Sequence, residues 1–341
     1  MLNTVKQLCS LSGVGGWEDE VREYIMEHAA PYADEMRVDA LGNLIVFKRG
    51  AKATGGKLML CAHMDEVGLI VRSITEEGYL KFDNVGLIDT RVLIGKKVQV
   101  GLARHPGVIG VKAYHLVSDE EEKTVPKAET LYIDIGAEDR EQAEAMVELG
   151  EPCVFDTVSE DFGDGMLKAK AIDDRLCCAM LLKLLEQSLP MDVTFVFSVQ
   201  EEVGCRGAAG AAFALRPEIA LIADCTTACD FPTIKGQSQV CRVGAGPAIP
   251  FMDGSVVADR ALFEQLRRVA TENEIPWQTK HLVSGGTDAT SIQPAGSGVR
   301  VANVSAPVRY LHAPASVGCV RDFENMLRLL RCFIDDTAAN S

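Results

Sequence analysis

The sequence predicts an α/β protein: a mostly parallel sheet with helices on both faces, interrupted by a small β-rich insert. Three features lead there. Apolar strand-like runs at 58–62, 192–199, 219–223 and 298–304 alternate with helical stretches at 175–187, 208–215, 259–273 and 320–335, and such alternation calls for a sheet covered on both sides. Between about 69 and 164 the texture changes to short β-like runs, 69–74, 79–85, 92–100, 107–114 and 131–135, which read as a separate β unit. The length of 341 residues, 47% of them apolar, is enough for a large core and for two such units.

Taken in order, 3–11 and 17–30 have helical spacing on either side of the Gly-rich turn 12–16. Trp17-Glu18-Asp19-Glu20 puts acids on the first turn of the second helix, where the helix dipole favours them. Strand-like runs at 35–39 and 43–48 are joined through Leu41-Gly42, and the buried strand 58–62 follows. Inside the insert, turns such as Glu76-Glu77-Gly78 and the charged stretch 118–127 separate the runs, with one helical piece at 138–149. After 166 the alternation resumes, with two further strands expected at 240–244 and 277–280. The expected division is therefore 1–68 and 165–341 for one α/β domain, with 69–164 as the insert. No internal repeat is evident.

Lys and Arg number 34 against 49 Asp and Glu, a net charge of −15. Nucleic acid and anionic membranes would repel such a chain, so neither is an expected partner. The eleven cysteines are scattered and show no CxxC spacing. With no secretory-type start and no run long enough to span a bilayer, the expectation is a cytoplasmic protein with reduced thiols, most of them small core residues.

The chemistry gathers at strand ends, where ligands collect in sheets of this kind. In LMLCAHMDEVG (58–68), His63 and Asp65 lie two apart on a strand and so point the same way. That suits a metal-binding imidazole whose other ring nitrogen is held by a carboxylate, although HxD alone is often only a polar strand end. Asp173-Asp174-Arg175 precedes a helix and reads either as an N-cap or as a carboxylate offered to cations. Glu201 and Glu202 follow the strongest apolar strand, so a solvated face explains them poorly. Neighbours on an extended backbone diverge, which lets one bind metal while the other stays free as a general base. Asp224 ends the run 219–223, where a lone Asp is commonly a turn former. His312 sits in a loop before the last helix. Together these give two His and at least three carboxylates, a mixture that suits zinc, cobalt or manganese. Five ligands with one bridging carboxylate would hold two ions roughly 3.5 to 4 Å apart.

With those residues assembled, the chain resembles the M42 metallo-aminopeptidases, the glutamyl and tetrahedral aminopeptidase group. The matching motifs are AHMDEVG (62–68), AIDDR (171–175), QEEVGCRGA (200–208), ADCT (223–226), SGGTDA (284–289) and RYLH (309–312). The insert also falls where that family carries its β-rich dimerisation domain. The resemblance implies two divalent ions, Zn2+ or Co2+ or else Mn2+, bridged by Asp173. His63 and Asp224 would complete one metal site, Glu202 and His312 the other. Glu201 would be the general base acting on a metal-held water, and Asp65 would orient His63. Gly285, Gly286 and Thr287 would line the substrate pocket. It further implies a cis Asp173–Asp174 peptide, short peptides with a free N-terminus as substrates, and a homo-oligomer, either a dimer or a dodecamer. An acidic-residue preference would need a cation, for which Arg206 or Arg242 is available. The chain departs from the family in carrying Ala313 after the RYLH histidine and Cys61, Cys177, Cys178 and Cys225 beside the motifs.

Other classes fit less. A carboxypeptidase or deacylase of the same clan would keep the metals and differ in the bond cut. A metal-independent glycoside hydrolase would use Glu201 and Glu202 as its carboxylate pair. A non-enzymatic scaffold leaves five ligand-type residues at strand ends without a purpose.

Overall fold

Apolar runs far apart in sequence meet in one nine-stranded sheet, and a second group of strands closes into a barrel. The computed structural model describes residues 1–55, 57–283 and 285–340. Helices α1 (Leu2–Ser10) and α2 (Asp19–Ala29) precede β1 (Glu35–Val38), β2 (Leu44–Lys48) and β3 (Leu58–His63). The barrel is built from β4 (Gly68–Ile74), β5 (Leu80–Val85), β6 (Lys97–Val100), β7 (His105–Gly110), β8 (Tyr132–Asp134), the short α3 (Arg140–Glu144) and β9 (Pro152–Phe155). The chain then rejoins the sheet through β10 (Glu160–Asp161), β11 (Met166–Ala169), α4 (Ile172–Leu185), β12 (Val193–Ser198), α5 (Arg206–Leu215) and β13 (Ile219–Thr227). It finishes with α6 (Arg260–Glu272), α7 (Ala289–Ile292), β14 (Arg300–Arg309), β15 (Ser316–Cys319) and α8 (Val320–Ala339).

The sheet order is β1-β2-β12-β3-β13-β14-β15-β11-β10. Parallel pairing is confined to its centre, β12 with β3, β3 with β13 and β13 with β14. The flanking pairings are antiparallel, so the sheet is mixed and the expected mostly parallel arrangement is corrected. Short links explain much of the difference: β1 turns directly into β2 and β14 into β15, and parallel neighbours need a long crossover that those links cannot provide.

Strand alternation decides which side chains meet which helices. Leu58, Leu60, Phe195, Phe197 and Leu221 pack with α1, α2, α4 and α8 on one face. Met59, Cys61, Val196, Ala220 and Ile222 pack with Ala208, Ala211 and Ala212 of α5 and with α7 on the other. The barrel has its own core, including Leu69, Phe82, Val98, Ile133 and Phe155.

Several expected elements shift. The runs 240–244 and 277–280 form no strands: Gln278 makes an isolated parallel bridge to Ala248, which in turn bridges to Ser305 of β14. The run 92–100 starts as a 3-10 turn at Thr90–Val92, where Asp89 caps the Arg91 N–H, and Gly95 at φ 73° breaks it before β6. The short β9, which opens on a proline, was not foreseen, yet it closes the barrel by pairing with both β4 and β6.

One buried side chain ties the sheet to the turn after β12. Asn43, fully buried, accepts from the Val199 N–H at 3.0 Å and donates to the Gly207 carbonyl at 2.9 Å and to Asp39 at 2.7 Å. Asn43→Ala would strand the buried Val199 N–H, so a loss of about 1–3 kcal/mol is expected. A lower denaturant midpoint with an unchanged slope would register it.

Candidate metal centre

After Ile222 and Cys61 the pairing of β13 with β3 stops, while β13 follows β14 for five more residues. The two strands part, and a cleft of about 410 Å³ opens between their ends. Asp224 therefore lies within β13, three residues before its end, and not at a strand terminus as the sequence suggested. Into this opening come His63 from the end of β3, Asp173 from the start of α4, Glu201 and Glu202 from the turn after β12, and His312 from the loop after β14.

Asp173 stands at the middle. Its Oδ1 is 3.2 Å from His63 Nε2 and its Oδ2 is 3.5 Å from His312 Nε2. His63 Nε2 also lies 3.9 Å from Asp224 Oδ1, and His312 Nε2 lies 3.3 Å from Glu202 Oε2. Asp173 and Asp174 depart from helical φ/ψ at the start of α4, and the peptide between them is cis. Asp174, fully buried, accepts from the His63 N–H at 3.2 Å and so links α4 to β3.

Both imidazoles are held from behind. His63 Nδ1 donates to the Asp65 carbonyl at 3.1 Å and is 3.4 Å from the Asp65 carboxylate. His312 Nδ1 donates to the Leu87 carbonyl at 3.0 Å, a contact supplied by the segment between β5 and β6. In each ring the Nδ1 proton is engaged by a backbone carbonyl, which sets Nε2 against the carboxylates, where its lone pair would serve a cation that displaces the Nε2 proton. Asp65 has a second job the sequence did not reveal. Its two oxygens accept the backbone N–H groups of Glu201 and Glu202, each at 3.0 Å. Glu18, a helix-start acid in the sequence, accepts from the Gln200 N–H at 3.1 Å, and Gln200 takes a left-handed φ of 56°. Two buried acids thus pin the turn and send the two glutamates in different directions. The general signal for such residues is an acid that ends up buried without a cationic partner, which sequence alone does not display.

A third network braces the start of α4. Arg175, fully buried, donates to the carbonyls of Met64 at 2.6 Å and Leu8 at 2.8 Å, and Lys170 contacts Glu66 at 2.7 Å.

The electrostatics of the cleft call for positive charge. Burial pushes Glu202 and Asp224 above the ordinary carboxylate range and Glu201 up to about 9, with neighbouring acids adding to the effect. Asp173 resists the same burial and is pulled down by hydrogen bonds from His312 and His63. The His312 imidazole, although burial opposes it, is raised to about 11 by Asp173 and Glu202. Glu202 Oε1 is buried without a hydrogen-bond partner. Crowded buried acids of this kind are stabilised by cations or hold protons in their place. His63, Asp173 and Glu202 bring ligand atoms within 4.8 Å of one another, as do His63, Asp174 and Asp224. The donor set fits divalent cations.

Gly285, at φ 73°, and Gly286 line the cleft, but Thr287 does not. Its side chain is buried, with Oγ1 3.4 Å from Asn303 Oδ1 and accepting from the Ala289 N–H at 3.2 Å, so it shapes the loop from behind. Ser284, the first residue of SGGTDA, lies outside the described residues. Neither Arg206 nor Arg242 lines the cleft. Lys280 is the basic residue that does so among the described residues.

The sequence profile of the M42 glutamyl aminopeptidase family matches residues 42–329. A protein of Acetivibrio thermocellus, provisionally named an aminopeptidase, is 38% identical over 97% of both chains. Among solved structures, an aminopeptidase of the archaeon Desulfurococcus kamchatkensis superposes with a TM-score of 0.93 at 34% identity, over 98% of this chain and 94% of that one. The TET1 peptidase of Pyrococcus horikoshii, which can assemble into a tetrahedron or a large octahedral shell, gives 0.86 at 32% identity over 97% of this chain and 98% of its own. On these matches, which run almost end to end, the chain belongs to the M42 glutamyl aminopeptidase family and is an aminopeptidase.

Proposed function

We propose that this chain removes the N-terminal residue from short peptides with the help of two divalent cations, zinc, cobalt or manganese. One would be held by His63 and Asp224, the other by Glu202 and His312, with Asp173 between them. The observation that carries the reading is the pair of imidazoles, from segments far apart in sequence, that turn Nε2 toward opposite oxygens of the same Asp173 carboxylate. When bound, such ions supply Lewis acidity toward the scissile carbonyl and an acidified water. Glu201 makes no contact with either imidazole in the hydrogen-bond network and stays available at the cleft wall. Its carboxylate takes the proton of the attacking water and returns it to the leaving amine. Asp65 serves by position, fixing the His63 ring and the backbone of both glutamates. The glycines at 285 and 286 let substrate backbone approach closely, and the peptide's free ammonium is drawn to the surplus of carboxylates.

Removing metal with a chelator should abolish hydrolysis of aminoacyl substrates. Zinc, cobalt or manganese should restore it, with two ions per chain by elemental analysis. Acetylating the N-terminus of a peptide substrate should stop its cleavage. Cleavage of the blocked peptide would instead favour the carboxypeptidase or deacylase reading.

The barrel segment is also inferred to mediate self-association, supported by large apolar side chains exposed along it, among them Leu87, Leu102, Tyr114, Leu116 and Leu149. Light scattering after size-exclusion chromatography distinguishes a dimer from a dodecamer, and a monomer at micromolar concentration would refute the inference.

A further inference from the structure

We propose that Cys205, Glu201 and Asp288 form a separate, inhibitory site for a soft divalent cation, zinc or cadmium, in the inner wall of the cleft. None of the three belongs to the five residues assigned above to the two ions. Their ligand atoms lie within 4.8 Å of one another. Cys205 Sγ is 3.5 Å from Glu201 Oε1 and 3.3 Å from the Thr287 carbonyl. The backbone explains the convergence: Cys205, at φ 56°, is the residue just before α5 and lies four residues after Glu201, and its turn brings the thiol to that carboxylate.

Asp288 supplies the independent sign of a ligand. It is 1% exposed, and its Oδ2 accepts from Ser198 Oγ at 2.5 Å and from Cys61 Sγ at 3.6 Å. Its Oδ1 has no hydrogen-bond partner. A buried carboxylate oxygen without a partner is costly, and a cation is one of the few groups that would satisfy it. Cys205 and Glu201 both line the cleft, so an ion arriving from solvent has a path to the site.

One sulfur and two carboxylate oxygens leave a fourth position for solvent in a tetrahedral shell. The thiolate selects zinc or cadmium over manganese, magnesium or calcium. On binding, the Cys205 S–H bond breaks as the sulfur–metal bond forms, the proton passes to the buffer, and no electrons are exchanged. The inhibitory consequence rests on Glu201 being the general base, as proposed above, because an oxygen engaged by the ion no longer accepts the water's proton. The binding site itself does not rest on that reading.

The test uses the holoenzyme loaded with manganese and titrated with cadmium, reading elemental content, the ultraviolet thiolate-to-cadmium charge-transfer band and peptide hydrolysis. A cadmium ion beyond the two resident ions should bring in the band, and activity should fall in step with it. Cys205→Ala should lose both the band and the inhibition while still hydrolysing peptide at low metal. Asp288→Asn should shift the midpoint of the band to higher cadmium. A band of equal size and midpoint in Cys205→Ala, or none in the wild type, would overturn the site. A band that depends on Cys205 but leaves hydrolysis unaffected would keep the site and overturn its inhibitory role, and with it the assignment of Glu201.

Discussion

Glu201→Gln is expected to lower kcat by about 10²–10⁴-fold while both ions stay bound and the fold is unchanged. The substitution isolates chemistry from structure for a specific reason. What fixes this turn is the Glu201 backbone N–H, which bonds to Asp65, and not the Glu201 side chain. The carboxylate's own hydrogen-bond contact is with Cys205 Sγ, a weak donor. Glutamine matches glutamate in shape and keeps a carbonyl for that contact, but it cannot take up a proton. Steady-state kinetics on an aminoacyl chromogenic substrate, with elemental analysis of the same sample, decides the matter. Near wild-type turnover with two ions per chain would show that another group accepts the proton.

What the sequence displayed and what it hid follow from the range of the interactions involved. Asp173, Asp224 and His312, which alone read as an N-cap, a turn former and a loop residue, were legible through the motifs they share with the family. His63 and Glu202 were legible because each ends or follows an apolar run that reads as a buried strand, where polar side chains need a reason. The two-faced packing of the sheet was legible in the same way, since Leu58 and Leu60 alternate with Met59 and Cys61. Strand direction was not. Whether β2 runs with or against β12 depends on contacts across some 150 residues, and nothing local in Leu44–Lys48 records it. The length of β13 was misjudged because Asp224 looks like a turn former, whereas its carboxylate lies beside the His63 imidazole in the gap left where β3 stops pairing. Glu18 and Asp65 were read as a first-turn acid and a histidine orienter, yet both also hold backbone N–H groups of the 200–202 turn. Thr287 was assigned to the pocket by its neighbours in the motif, but its hydroxyl points to Asn303. Such roles are set by tertiary hydrogen bonds, which carry no periodicity to be read.

Asp173→Asn should do more than slow the reaction: it should disable both metal positions together. The carboxylate faces His63 with one oxygen and His312 with the other, so among the described residues it is the one side chain paired with the imidazoles of both proposed sites. An amide keeps the shape but loses the negative charge and replaces one of the two ligating oxygens with an NH2 group, which offers no lone pair to a cation. Removing Asp224 or His312 would be expected to weaken one site and leave a partly loaded enzyme. Asp173→Asn should instead carry fewer than one ion per chain at concentrations that saturate the wild type, and its activity should fall further than that of Glu201→Gln. Stability gives a second readout that does not depend on catalysis. Each ion bound only by the folded chain adds about 2.7 kcal/mol at one hundred times its Kd, so the wild-type melting temperature should rise on titration with zinc or cobalt. The variant's should stay flat. A variant that melts higher with added metal, or that still binds two ions, would mean that Asp173 does not bridge them and that the centre is held by the surrounding histidines and acids alone.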